Sequence, residues 1–224
     1  MANENDSFID EVTEDLRRDR LFGLFRRYGW IAIALILAIV IGAAWREYSI
    51  AQANSAAQEF GDSIVAAEAA GDPAAALGQI EGSTASQDAL ASLLQANALA
   101  AADQGDQAGE QLDVAAAALG DDDTVLRDLA RLKQVMVLGP DMDPMQRDQI
   151  LTPLAQPGAP FELLALEQQA VALVGAGRNE DAVALIRQIQ QKDGLSEGLR
   201  RRLSEMMIAM GVEPEPTDTT PATN

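Results

Sequence analysis

The chain combines one uninterrupted apolar run with a long region in which apolar residues recur every third or fourth position. The run, residues 30–45 (WIAIALILAIVIGAAW), holds 16 consecutive residues without a charge or a strong polar group. Extended back to Tyr28 it makes about 27 Å of helix at ~1.5 Å per residue, close to the hydrocarbon core of a bilayer, about 30 Å. It predicts a transmembrane helix, assigned to residues 28–48. Upstream, Phe8, Val12 and Leu16 at i, i+4, i+8 predict a short charged helix within a 1–27 segment. Downstream, residues 49–211 show helical spacings and no Val/Ile/Thr-rich alternation, so strands are not expected. The predicted fold class is all-α.

The flanks of the apolar run support the membrane reading. The chain has two Trp and two Tyr, and all four lie at the ends of the run: Tyr28 and Trp30, then Trp45 and Tyr48. Amphipathic rings prefer the headgroup level, which makes these residues a candidate interfacial belt. Arg17, Arg18, Arg20, Arg26 and Arg27 precede the span. After it comes Arg46, then no Lys or Arg until Arg127. Positive flanks stay in the cytoplasm, so residues 1–27 are expected there and residues 46–224 across the membrane. The rival is a cleavable signal peptide ending near Ala51-Gln52-Ala53. Its n-region would be long and acidic, and Trp45-Arg46-Glu47-Tyr48 a poor c-region. Within the span, Ala34, Ala38 and Gly42 share one helix face, as in small-xxx-small packing motifs. The alternative is simply that alanine is abundant here.

Turn signals divide the exported region into short pieces: Gly71-Asp72-Pro73, Gly105-Asp106, 120–123, Gly139-Pro140, Gln156-Pro157-Gly158, 175–177 and Asp193-Gly194. Pieces of about 10–18 residues between such breakers predict helix pairs. Gly71, Gly105 and Gly139 are 34 residues apart, and Gly177 follows after 38. A 34-residue helix–turn–helix period is the signature of a tetratricopeptide repeat, hence a TPR-like solenoid of helical hairpins. Small crossing residues are expected five positions after the turn glycine, at Ala76 and Ala182, and seven before it, at Ala98 and Ala170. Glu110 and Pro144 break the first pattern at Gly105 and Gly139, the latter beside a four-residue insertion.

If each turn glycine ends the first helix of a pair, the concave candidates for a partner groove are Leu126, Leu129 and Met136, then Phe161, Leu164, Val171 and Val174. The alternative is packing between neighbouring helices. The last predicted helix, 195–210, carries a stripe of Leu199, Leu203, Met206 or Met207, and Met210 suited to a terminal cap. Arg200-Arg201-Arg202 on it reads as a solvated face. The tail, 212–224, is too polar to bury and is expected to be disordered.

Composition narrows the chemistry. With 35 acidic against 16 basic residues, a net charge of −19 argues against nucleic-acid binding. The absence of Cys and His removes thiol nucleophiles, haem and zinc-finger ligation, and imidazole-based triads. Asp121-Asp122-Asp123 and Asp141/Asp143 lack calcium-loop spacing and read as helix N-caps. No catalytic residue, cofactor or metal is expected, and an enzyme is not. The small-residue face of the span suits a partner's transmembrane helix or self-association.

The layout resembles the bacterial YfgM-like proteins. It shares their acidic–basic N-terminal helix (Asn3-Glu4-Asn5-Asp6 through Arg17-Arg18-Asp19-Arg20), one short span leaving through Gly42-Ala43-Ala44-Trp45-Arg46-Glu47-Tyr48, and a low-aromatic TPR-like domain. The resemblance implies a TPR-like ancillary subunit of the Sec translocon. Its implied partners are translocon subunits and a membrane-anchored periplasmic chaperone or prolyl isomerase, and its implied role is assistance to newly exported proteins. It offers no catalytic residues to transfer. The alternative is an anchored TPR scaffold for another envelope process: envelope assembly, cell division or cytochrome maturation.

Overall fold

The computed structural model describes residues 4–120 and 123–213, with side chains from Trp30 onward except Ala32 and Pro140. The described residues form nine α-helices and no strand: α1 (Glu4–Glu68), α2 (Pro73–Leu77), α3 (Ala85–Ala101), α4 (Gly105–Leu119), α5 (Thr124–Leu138), α6 (Pro144–Leu154), α7 (Glu162–Gly175), α8 (Asn179–Gln190) and α9 (Glu197–Ala209). By internal contact the chain divides into two units, Met1–Glu59 and Phe60–Asn224.

Helix α1 does not stop where the apolar run does. After Tyr48 the sequence turns polar, but Ala, Gln and Glu are strong helix formers, and α1 continues to Glu68, just before Gly71-Asp72-Pro73. From Ile33 onward α1 is long and apolar enough to cross a membrane, and its most apolar window is not buried. The 1–27 segment and Tyr28 fall among residues whose side chains lie outside the described set, as does the tail from residue 214.

The second unit is a stack of helices, each packed on the next, with further contacts between α3 and α5 and between α5 and α7. That alternation identifies α3, α5 and α7 as the first helices of successive hairpins and α4, α6 and α8 as the second. With only 4% aromatic residues, the core is built from alanine and leucine in three clusters that follow chain order. The first joins α3, α4 and α5 through Leu93, Ala96, Ala108, Leu112 and Ala130. The second holds Leu132, Leu151, Leu154 and Ala165 from α5, α6 and α7, with Met142 from the connection before α6. In the third, Leu199, Leu203 and Met207 of α9 cover Ala170, Ile186 and Ile189, closing the apolar face that a final hairpin leaves open.

The piece between Gly71 and Gly105 is shorter at its start than expected. It contains the five-residue α2, then a break at 78–84, then α3. Thr84 Oγ1 accepts from Gln87 N at 3.2 Å, while Gln87 Oε1 accepts from Ser83 N at 2.7 Å. This reciprocal cap starts α3 anew.

The repeat is present, but two residues away from the glycine register. At the end of α7, Gly177 has φ +72°, and Arg178 N donates to Leu173 O. At the end of α3 the same bond runs from Gln104 N to Leu99 O, and the residue at positive φ is Asp103, at +58°. Gly105 is instead the first residue of α4. Counting from Asp103, the crossing positions are Ala96 and Ala108, both buried, matching Ala170 and Ala182 around Gly177. Ala98 is only half-buried, as is Ala76, beside the buried Leu77. The break at Glu110 is thus a matter of register. At Gly139 (φ +52°), a 3-10 turn over Gly139–Asp141 accommodates the extra residues and inserts Met142 into the core.

Candidate functional site

Helices α5 and α7 carry the predicted groove residues, with Phe161 at the start of α7, and the structure distributes them among different environments. Leu126 packs against the first core cluster, while Phe161 and Leu164 pack against the second. Leu129 is half-buried. Met136 and Val171 are exposed.

Two clefts lie among these helices. The first, of about 470 Å³, is walled by the end of α5, the start of α6 and the second half of α7, and Val135, Pro144, Val171 and Val174 line it. One charged residue lines it as well. Arg147 enters from α6 with its side chain only 16% exposed. The second cleft, about 690 Å³, lies against the α6–α7 and α8–α9 connections and takes in Pro157, Phe161, Leu164 and Leu199. Of the predicted groove, Val171 and Val174 therefore share one cleft, and Phe161 and Leu164 the other. Arg147 and Val135 were not singled out in the sequence. Arg147 sits in the first turns of a helix beginning Asp143-Pro144, where only the packing of α7 shows that it is enclosed.

The second cleft is framed by an ion pair. Lys192 Nζ donates to Glu162 Oε1 at 2.6 Å, and Gly158 N donates to Glu162 Oε2 at 2.8 Å. The lysine hydrogen bond, then the backbone N–H, hold the Glu162 carboxyl below its ordinary pKa. Behind it, α9 is tied to α7 by Arg202, which donates to both oxygens of the buried Glu167. These bonds raise the guanidinium above its ordinary pKa. The other two arginines of the run pair within α9, Arg200 with Glu197 and Arg201 with Glu205.

Of the aspartates read as helix N-caps, Asp123 and Asp143 start helices, while Asp141 lies within the 3-10 turn Gly139–Asp141. Asp123 accepts from Leu126 N, and Asp143 from Met145 N and Gln146 N. Asp121 and Asp122 lie outside the described residues. On α1, Ala34, Ala38 and Gly42 are exposed, as are the flanking Trp30, Trp45 and Tyr48. A Cβ added at Gly42 would meet nothing within 4 Å.

A family model described as a tetratricopeptide repeat-like domain matches residues 25–203. No curated protein and no solved structure matches the chain.

Proposed function

The chain belongs to the tetratricopeptide repeat-like domain family, and we propose that it is a non-catalytic, membrane-anchored scaffold whose helical-repeat domain binds proteins. A TPR-like repeat presents side chains from successive hairpins to a partner and is typically a scaffold without catalysis of its own. The observation that carries the anchored form of this reading is the exposed apolar stretch of α1. Ile33, Leu35, Ile36, Leu37, Ile39, Val40 and Ile41 are all exposed, and aliphatic side chains in that number require lipid or a partner helix around them.

In this reading residues 28–48 cross a bacterial inner membrane with the arginine-rich segment in the cytoplasm and the repeat domain in the periplasm. The resemblance to YfgM-like proteins supports association with the Sec translocon and with a periplasmic chaperone or prolyl isomerase. The small-residue face of Ala34, Ala38 and Gly42 is the proposed contact within the bilayer.

Site-specific photo-crosslinking in intact cells tests it, with the crosslinker at Ala38 and, for comparison, at Ile39 on another face. The expected result is a strong adduct with a translocon subunit at Ala38 and little at Ile39. Adducts of the chain only with itself, or none with translocon subunits at either position, would overturn the translocon assignment.

A further inference from the structure

The cleft between α5, α6 and α7 has an uncompensated feature. The Arg147 side chain is mostly buried, and its Nε, shielded from solvent, finds no hydrogen-bond acceptor among the described residues. The nearest carboxylate oxygen, on Asp148, is 3.9 Å away, beyond hydrogen-bonding distance, and that side chain is 71% exposed. A guanidinium N–H shut away from water with no acceptor is costly, and the loose ion pair with an exposed carboxylate does not supply one. The contrast within the same domain is Arg202, whose guanidinium meets Glu167 in two short bonds. Around Arg147 the lining is mostly apolar, with Val135, Val171 and Val174, and Gln168 is the other polar side chain there. Exposed Met136 and Met145 stand on the two helices that wall the cleft beside α7, and methionine adapts readily to an incoming surface.

We propose that this cleft is the docking site for a segment of a partner protein that presents an aliphatic side chain next to a single carboxylate. The valines receive the aliphatic group, and Arg147 pairs with the carboxylate. The chain's net charge of −19 sets the limit on that carboxylate. A strongly acidic segment is repelled by the surrounding surface, whereas one anion embedded in apolar contacts gains the arginine at little long-range cost. A charge-assisted bond in a partly desolvated site is among the stronger single contacts available to a peptide. The cleft's volume lies within the usual range for binding sites, about 300–1,000 Å³. The proposal rests on the reading of the repeat domain as a protein-binding scaffold and deepens it by naming the site and the ligand chemistry.

The test uses the full chain in lipid nanodiscs with isotope-labelled valine and methionine methyl groups. The probes are N-acetyl-leucine and its neutral amide, N-acetyl-leucinamide. The expected result is saturable movement of the Val171 and Val174 signals, with the acid bound about tenfold more tightly than the amide. Arg147→Gln should bring the acid down to the affinity of the amide while leaving the amide unchanged. Arg147→Lys, which keeps the charge, should retain part of the preference. Equal affinity for acid and amide, an acid preference untouched by Arg147→Gln, or no movement at Val171 and Val174 would overturn the proposal. So would methyl shifts that follow protein concentration without probe, since a second copy would then be the occupant. Binding that appears only after Glu213, Glu215 and Asp218 are neutralised would assign the cleft to the chain's own tail and likewise overturn it. If the probes fail while crosslinkers elsewhere on the repeat domain still capture defined partners in cells, this cleft is excluded and the scaffold reading stands.

Discussion

Arg202 of α9 holds Glu167 of α7 through two parallel hydrogen bonds, Nε to Oε1 at 2.7 Å and Nη2 to Oε2 at 2.8 Å. The glutamate is buried, and the arginine side chain is half exposed. Removing the arginine leaves a carboxylate shut away from water with nothing to balance it. Arg202→Ala should therefore destabilise the repeat domain by about 2 kcal/mol, less than the loss of a fully buried partner because Arg202 is half solvated. Arg202→Met combined with Glu167→Leu should recover most of that loss. Thermal unfolding followed by circular dichroism checks both. Equal midpoints for the wild-type chain and Arg202→Ala would show that the pair contributes nothing.

Glu162 gives the domain an acid-sensitive contact. Its carboxyl is held below the ordinary value by the Lys192 hydrogen bond, followed by the Gly158 N–H. A lowered folded-state pKa means that the unfolded chain binds the proton more readily. The stabilisation is therefore complete above the ordinary glutamate pKa and is lost as pH falls through the lowered one. Glu162→Gln should lower the unfolding midpoint at neutral pH and bring it level with the wild type at strongly acid pH. A constant gap between the two proteins at all pH values would show that the carboxylate charge plays no part.

The turn after α3 uses an aspartate where the turn after α7 uses a glycine. Asp103 holds φ +58°, a conformation in which a Cβ is strained and glycine is not. Asp103→Gly should stabilise the domain by about 0.5 kcal/mol. Gly105, at the start of α4, has no neighbour within 4 Å of an added Cβ. Gly105→Ala should thus be neutral or stabilising by a few tenths of a kcal/mol. Chemical denaturation of each variant distinguishes this register from the one in which Gly105 is the turn residue, which predicts a clear loss.

That register shows what the sequence could carry and what it could not. Breakers such as Gly139-Pro140 and Gln156-Pro157-Gly158 mark real chain reversals, because glycine and proline act locally and need no tertiary context. Asp103 is ordinary by composition, and its left-handed conformation belongs to the turn that lets Gln104 N reach Leu99 O, with Ala96 and Ala108 buried in one cluster on either side. The continuation of α1 past Tyr48 was legible in propensity, yet the change in hydrophobicity there reads as an end. Faces were the least legible. Periodicity places Leu126 and Val171 on helical stripes equally well, and only the neighbouring helices decide that one packs against the core and the other remains exposed. Arg147 and Arg202 look alike in sequence. Their difference is the presence of Glu167, 35 residues from Arg202.

Gly109 is small for a packing reason. A Cβ built there would lie 2.7 Å from Leu138 Cδ2 and 2.9 Å from Cδ1, where α4 passes the end of α5. Gly109→Ala should cost about 1–3 kcal/mol by overpacking, despite the better helix propensity of alanine. Adding Leu138→Ala should make the combined loss smaller than the sum of the separate losses, because the two side chains then no longer compete for one space. Strict additivity of the unfolding free energies would rule out this contact as the cause.

The apolar stretch of α1 makes the most direct demand on its surroundings. Seven Ile, Leu and Val side chains between Ile33 and Ile41 are exposed, so none of the described residues accounts for their hydrophobicity. If lipid accounts for it, placing charge at the centre of the stretch should be costly in proportion to depth. An arginine at mid-span costs about 2.5–3.5 kcal/mol on insertion scales, and Ile36→Arg with Leu37→Arg together about twice that. The wild-type chain should remain in the membrane pellet after alkaline extraction, and the double variant should appear in the supernatant. Substitution of the same kind at exposed, interfacial Tyr48 should leave the chain in the pellet, since an arginine there reaches the headgroups. Release of the wild-type chain by alkali would mean that the stretch is covered by a protein partner and does not span a bilayer.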